Sequence, residues 1–364
     1  MKILNNRLDR QFELLKSEYM KKIEEVLDNG WYVLGPEVKN FELEFSKYND
    51  AKYCIGVASG LDALILAFES LNLEPGDEVI CPANTYIATV MGFTKLGLIP
   101  QFVEPNCFYN IDVDKIEEKI TNKTKAICVV HLYGQIANMI EIMKIAKKYN
   151  LYVVEDCAQS HGAEINGKKC GTFGDLGCFS FYPTKNLGAF GDAGAVITNN
   201  HKYYERIKML RNYGSKQTYY FEEVGYNSRL DEIQAGLLRV KLNHLNAQTQ
   251  ERRRIANIFL SKITNPKIKL PQKEFGEFGH VFHLFVIQIE DRNSFINYCS
   301  KNDIEVKIHY PQPPHLSKAY SYLGYSVDDF PISESMAEHV VSLPIYVGLL
   351  DDEIEYIINV VNRY

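Results

Sequence analysis

Leu151-Tyr-Val-Val-Glu155-Asp156-Cys-Ala-Gln159-Ser-His161-Gly162 is an apolar run that stops abruptly on two carboxylates. Side chains that are apolar at consecutive positions belong to a strand covered on both faces, the condition of a parallel sheet flanked by helices. Such sheets bind ligands beyond the C-terminal ends of their strands, where this segment puts Asp156 and Gln159. The same texture repeats on either side. Strand-like runs fall at Tyr53–Ala58, Glu78–Cys81, Ile99–Val103, Ala126–Val130, Gly177–Phe181 and Ala193–Thr198. Helical spacing separates many of them, at Leu61–Leu71, Asn84–Leu96, Asp112–Ile120 and Met139–Lys148. The alternation predicts an α/β domain with a mostly parallel sheet.

Outside this block the pattern changes. Phe12–Leu27 has helical spacing and runs into Asn29-Gly30, a sound C-cap. Leu230–Leu245 and Gln248–Ser261 read as consecutive helices, with Glu251-Arg-Arg-Arg254 as a solvated face. Strand-like Phe282–Ile289 and Ile304–Ile308 then bracket a helical Asn293–Lys301. A large domain over residues 1–250 and a small C-terminal α+β domain over 251–364 are expected.

The 364 residues carry 40 Lys+Arg against 46 Asp+Glu, a net charge of −6. That mild acidity argues against a nucleic-acid or anionic-membrane partner, either of which calls for a basic face. Neither a signal peptide nor a run of about 18 apolar residues is present, so a cytoplasmic protein is expected. The eight cysteines form no CxxC pair, and most sit in strand-like runs, which suits buried free thiols. Nine dispersed histidines show no HExxH spacing, and no metal is expected. Gly162-Ala-Glu-Ile-Asn-Gly167-Lys168-Lys169 has lysine where a phosphate-binding loop needs Ser or Thr, and its Asn166-Gly167 reads as a hairpin turn. Gly188-Ala-Phe-Gly191 lacks the dinucleotide spacing.

Three post-strand segments carry the chemistry. Ser59-Gly60 ends one strand and begins a helix whose first amides suit a phosphate. Asp156 is placed to pair with a cationic ring nitrogen and Gln159 with a neighbouring ring oxygen. Lys185 lies between an apolar strand and a glycine-rich turn, where desolvation lowers an amine's pKa and makes it nucleophilic. Ser180, five residues earlier, can offer a hydroxyl to phosphate.

The ordered set Ser59-Gly60, Glu155-Asp156-Cys-Ala-Gln159, Ser180-Phe-Tyr-Pro-Thr-Lys185-Asn-Leu-Gly and Asn227-Ser-Arg229-Leu-Asp-Glu-Ile-Gln-Ala resembles the DegT/DnrJ/EryC1/StrS family of pyridoxal-phosphate-dependent sugar aminotransferases, from about Gly30 to the C-terminus. The resemblance implies the aspartate-aminotransferase fold (fold type I), with residues 1–250 as the cofactor domain, and a homodimer with shared active sites. It makes Lys185 the Schiff-base lysine that also moves protons, Asp156 the partner of the ring nitrogen and Gln159 the contact to the ring hydroxyl. Tyr86, in Pro82-Ala-Asn-Thr-Tyr86-Ile-Ala-Thr, is the aromatic that stacks on the ring. Ser59, Gly60 and Ser180 hold the phosphate, and Asn227 reaches it from the partner subunit. One lysine serving both half-reactions implies ping-pong kinetics.

The intact Lys185 favours amination over deoxygenation, because the family's sugar dehydratases carry histidine there. Leu210-Arg-Asn-Tyr213-Gly-Ser-Lys and His309-Tyr310-Pro311-Gln-Pro-Pro-His315 are similar to the branch that aminates C3 of dTDP-3-keto-6-deoxyhexoses with L-glutamate as donor. Tyr213, His309 and Tyr310 are then candidate sugar contacts. A 4-aminotransferase acting on a UDP- or dTDP-4-keto sugar, and a binding or regulatory relative retaining the fold, are the alternatives.

Overall fold

The computed structural model describes residues 2–364. Two helices come first, α1 (Leu8–Asn29) and α2 (Pro36–Asn49). α1 stops at Gly30, whose φ of 65° lies in the left-handed region that a missing Cβ makes accessible. Alternation then runs through β1 (Tyr53–Val57), α3 (Gly60–Ser70), β2 (Glu78–Pro82), α4 (Ile87–Thr94), β3 (Ile99–Val103), β4 (Thr124–Val130), α5 (Met139–Tyr149) and β5 (Tyr152–Asp156). A hairpin of β6 (Glu164–Ile165) and β7 (Lys168–Lys169) turns through Asn166 and Gly167, both at positive φ, as the hairpin-turn reading requires. β8 (Leu176–Ser180), β9 (Gly194–Thr198) and α6 (His201–Leu210) complete the block. A short ribbon, β10 (Ser215–Gln217) with β11 (Tyr220–Phe221), precedes α7 (Glu232–Lys262). The chain ends with β12 (Phe285–Gln288), α8 (Arg292–Lys301), α9 (Pro331–His339), β13 (Val340–Leu343) and α10 (Asp351–Arg363).

Seven strands form one sheet in the order β1-β9-β8-β5-β4-β2-β3. Every neighbouring pair is parallel except the two made by β9. Since β9 is antiparallel to both β1 and β8, those two point the same way as β5. Their C-terminal ends therefore share one edge, and Gly194 sits between Val57 and Ser180 in register. Successive residues feed opposite faces: Val153 and Phe179 join Phe41, Phe45 and Leu238 on one side, while Val154 and Cys178 join Leu64, Phe68 and Phe93 on the other. Burial on both faces accounts for the uninterrupted apolar runs, and each fully covered Phe contributes roughly 2–3 kcal/mol. A separate core joins Phe259 of α7, Phe285 of β12, Phe295 of α8 and Ile357 of α10.

Four local expectations are corrected. The two helices expected between Leu230 and Ser261 are one continuous helix of 31 residues. The face Glu251–Arg254 is not solvated throughout. Arg252 and Arg253 are buried, donating to the carbonyls of Phe282, His283 and Ile345 and to those of Phe278 and His280. Asp112–Ile120 forms two single 3-10 turns, Val113–Lys115 and Glu117–Lys119. Ile304–Ile308 makes only isolated bridges, Ile304 to Ile3 and Lys307 to Ser342.

Seven of the eight cysteines are buried and all are free; Cys107 is exposed. Among the described residues no helix is long and apolar enough to cross a membrane. Glu232, inside the Asn227–Ala235 motif, is buried and accepts the amides of Gly35, Glu37 and Val38, which ties α7 to the start of α2.

Candidate active site

The ends of β1, β5 and β8 meet at a cavity of about 520 Å³. Ser59 caps α3, its Oγ accepting the Asp62 amide at 3.1 Å. Gly60 and Leu61, the first two residues of that helix, belong to the cavity wall. A Cβ on Gly60 would lie 2.5 Å from Ser180 Cβ, and one on Gly194 would lie 2.3 Å from the Ser59 carbonyl oxygen. Glycine at both places lets three segments close into a tight cradle, of the kind that receives an anion.

The neighbouring carboxylates Glu155 and Asp156 point to opposite faces of β5. Glu155 is fully buried and accepts the amides of Gly171, Phe173 and Gly174 at 2.7, 2.8 and 2.7 Å. It also takes a hydrogen bond from His131 Nε2 at 3.0 Å. Asp156 instead faces the cavity, 7% exposed, with Oδ2 accepting the Thr89 hydroxyl at 2.7 Å and Oδ1 the Ala158 amide at 3.1 Å.

Gln159 is oriented from both ends. Its Oε1 accepts the Tyr133 amide at 2.6 Å, so Nε2 is the donor to the Tyr310 hydroxyl at 2.9 Å. The Tyr310 ring lies 4.9 Å from that of Tyr86, which is half exposed at the mouth. His309 Nδ1 is 2.8 Å from Ser342 Oγ, and burial lowers its pKa to about 4, leaving a neutral ring at neutral pH.

Lys185 follows β8 in a turn closed by its own amide on the Tyr182 carbonyl at 2.8 Å. Burial lowers its pKa from an ordinary 10.5 to about 8, against the opposing pull of Asp156. His161 sits behind it, fully buried between Phe179 and Phe181 with neither ring nitrogen bonded. Burial, with Lys185 second, takes that imidazole down to about 3.

The cavity wall thus includes Ser59, Gly60, Tyr86, Asp156 and Gln159, together with Ser180, Lys185, His309 and Tyr310. Tyr213 and Asn227 are elsewhere in this chain. They lie on adjoining segments joined by an Asn212–Asn227 bridge, both exposed, with the Arg229 guanidinium 5.4 Å from the Tyr213 ring. Thr85, Thr89 and Lys307 also line the cavity and were not picked out from the sequence. The two threonines flank Tyr86 in a segment singled out for its aromatic, and their spacing of four around a helix start was the available signal. Lys307 had none.

A buried amine near neutrality, a carboxylate on the same cavity and a glycine-tight anion cradle fit pyridoxal phosphate, and define an aminotransferase that uses it. The chain belongs to the DegT/DnrJ/EryC1/StrS aminotransferase family, whose model matches residues 13–362. The dTDP-3-amino-3,6-dideoxy-alpha-D-galactopyranose transaminase of Aneurinibacillus thermoaerophilus is 51% identical over 355 residues, covering 96% of this chain and 97% of its own. The UDP-N-acetyl-3-dehydro-alpha-D-glucosamine 3-aminotransferase of Acidithiobacillus ferrooxidans is 41% identical, covering 98% and 96%. Among solved structures, S. venezuelae DesV in complex with a ketimine intermediate matches with a TM-score of 0.97 at 41% identity, over 100% of this chain and 98% of that one. The fold is that of the pyridoxal-phosphate aminotransferases, with a mostly parallel seven-stranded sheet.

Proposed function

We propose that the enzyme transfers the amino group of L-glutamate to C3 of a dTDP-3-keto-6-deoxyhexose, giving a dTDP-3-amino-3,6-dideoxyhexose and 2-oxoglutarate for glycan or glycosylated-product biosynthesis. The observation that carries this reading is the 51% identity, across nearly the whole of both chains, to a transaminase named for a dTDP-3-amino-3,6-dideoxy sugar. When bound, pyridoxal phosphate supplies a reactive carbonyl and an electron-withdrawing ring. In this reading Lys185 holds the carbonyl covalently and, once displaced by the donor, carries protons at its Nζ. Asp156 holds the ring nitrogen cationic, Gln159 meets the ring hydroxyl and Tyr86 covers one ring face. Ser59, Gly60 and Ser180 hold the phosphate together with Asn227 of the partner subunit. His309, Tyr310 and Tyr213 contact the sugar.

A homodimer with shared clefts is part of the proposal. It is supported by the position of Tyr213 and Asn227 outside their own cavity, beside a ribbon that exposes Tyr219, Tyr220, Phe221 and Val224 at 62–93%. The division into a cofactor domain (1–250) and a small domain (251–364) is carried with it, as is a cytoplasmic location, which the buried free thiols suit.

Two measurements test the reading. Purified protein with pyridoxal phosphate, glutamate and a panel of keto-sugar nucleotides is expected to give a product whose new nitrogen sits on C3 by NMR. Amination at C4 alone would move the assignment to the 4-aminating alternative, and no turnover with any keto-sugar would remove the sugar reading. The Lys185 amine makes a separate prediction. Only its neutral form attacks a carbonyl, so covalent capture of pyridoxal phosphate by cofactor-free protein should accelerate with rising pH and level off above about 8. A midpoint near that of free lysine would show that the amine is not desolvated in solution.

A further inference from the structure

Behind Asp156 stands a relay of two hydroxyl groups. Thr89 Oγ1 is 2.7 Å from Asp156 Oδ2, and Thr85 Oγ1 is 2.7 Å from Thr89 Oγ1. Both threonines are buried, at 2% and 1% exposure, so bulk water does not compete for these bonds. Chemistry fixes their direction. A carboxylate only accepts, so the Thr89 hydrogen goes to Asp156. Thr89 must then accept from Thr85, and the order is Thr85 to Thr89 to Asp156, each hydroxyl polarising the next.

The local structure leaves these hydroxyls free for that task. Thr85 lies just ahead of Tyr86, the extended N-cap of α4, and Thr89 is in the first turn of that helix, so the chain folds one hydroxyl onto the other. The Thr89 amide is already bonded to the Tyr86 carbonyl at 3.1 Å. Thr94, on the same helix, does what a helical threonine commonly does and bonds back to the Val90 carbonyl at 2.9 Å. Thr89 instead donates outward, to a residue 67 positions along the chain. With the Ala158 amide on Oδ1, both oxygens of Asp156 are held and the carboxylate plane is fixed.

We propose that Thr89, backed by Thr85, is a positioning residue that fixes the Asp156 carboxylate toward the ring nitrogen of the cofactor, so that helix α4 sets how strongly the ring withdraws electrons. This rests on the role given to Asp156 above. Removing the hydroxyl weakens the hold on the cationic ring nitrogen. A less positive ring leaves the proton on the lysine–cofactor linkage bound to higher pH.

The test is an absorbance titration of the cofactor-loaded enzyme together with steady-state kinetics. In Thr89→Val the midpoint of the visible band should rise, and kcat should fall about tenfold with KM for the donor within about twofold. Thr89→Ser, which restores the hydroxyl, should return both to wild type, a rescue that a purely packing role does not predict. Thr85→Val should move the midpoint in the same direction by less, and it carries the test if Thr89→Val does not fold. Asp156→Asn separates this inference from the reading beneath it. If Asp156→Asn shifts the band and lowers kcat while Thr89→Val matches wild type, the relay is overturned and the role of Asp156 stands. If Asp156→Asn changes neither, the role of Asp156 falls and the relay with it.

Discussion

Lys185→Ala is expected to abolish the covalent link to pyridoxal phosphate and to lower turnover by roughly ten-thousandfold or more, since in the proposed function one amine supplies both the attachment and the proton transfers. The geometry makes a substitute hard to find. Lys185 enters the cavity from the turn after β8, and burial has brought its amine to about 8. Lys307 also lines the cavity, but it comes from a segment that bridges to β13 and not from the end of a sheet strand. Borohydride reduction and peptide mapping should therefore place the wild-type adduct on Lys185 and find none in the variant. An unchanged rate, or an adduct on another lysine, would defeat the assignment. The same variant probes the proposed dimer. Mixed with Asn227→Ala chains it should regain activity, because in a mixed dimer one cleft collects both changes and the other neither. No recovery would count against shared clefts.

Glu155→Ala is expected to cost about 4 kcal/mol or more of stability. Four donors converge on this carboxylate: three amides from the Gly171–Gly174 turn and His131 Nε2. His131 cannot turn away, because its Nδ1 accepts the Ala137 amide at 3.1 Å and its proton is therefore on Nε2. Alanine would leave all four without an acceptor, the Gly171 amide and His131 Nε2 in buried surroundings and the Phe173 and Gly174 amides in part-buried ones, at about 1–3 kcal/mol each before relaxation. Glu155→Gln should be intermediate, since the amide accepts through one atom and presents a second donor with the other. Urea unfolding of the cofactor-free protein checks this, and a Glu155→Ala curve that overlays the wild type would refute it.

Glu155 and Asp156 also show where sequence reading reaches its limit. The strand that presents them was legible, because burial on both faces leaves a continuous apolar signature whatever the rest of the chain does. The edge that carries the cavity was legible for the same reason, since Ser59, Asp156 and Ser180 each end or follow such a run. Which carboxylate faces the cavity depends on the pleat. Which donors reach the other depends on a turn 16–19 residues away. Arg252 was misplaced on a solvated face because its acceptors, the carbonyls of Phe282, His283 and Ile345, lie 30 to 93 residues further on. The break expected between Leu245 and Gln248 is absent from α7. Polarity marks an exposed stripe as readily as a loop, and no Gly or Pro interrupts the chain there. Tyr213 and Asn227 were found through resemblance alone, since nothing in their local sequence sets them apart.

Helix α7 packs into the sheet through Leu238, Leu242 and Leu245, and into the C-terminal core through Ile255, Ala256 and Phe259. At 31 residues it is a rod about 46 Å long, and Arg252 and Arg253 pin its second half to the segment ahead of β12. Jaw-like closure of one part of the chain on the other would have to bend that rod or unseat those guanidinium groups. The cavity is therefore framed before anything enters it, and the half-exposed Tyr182 on its wall is among the first side chains an incoming molecule meets.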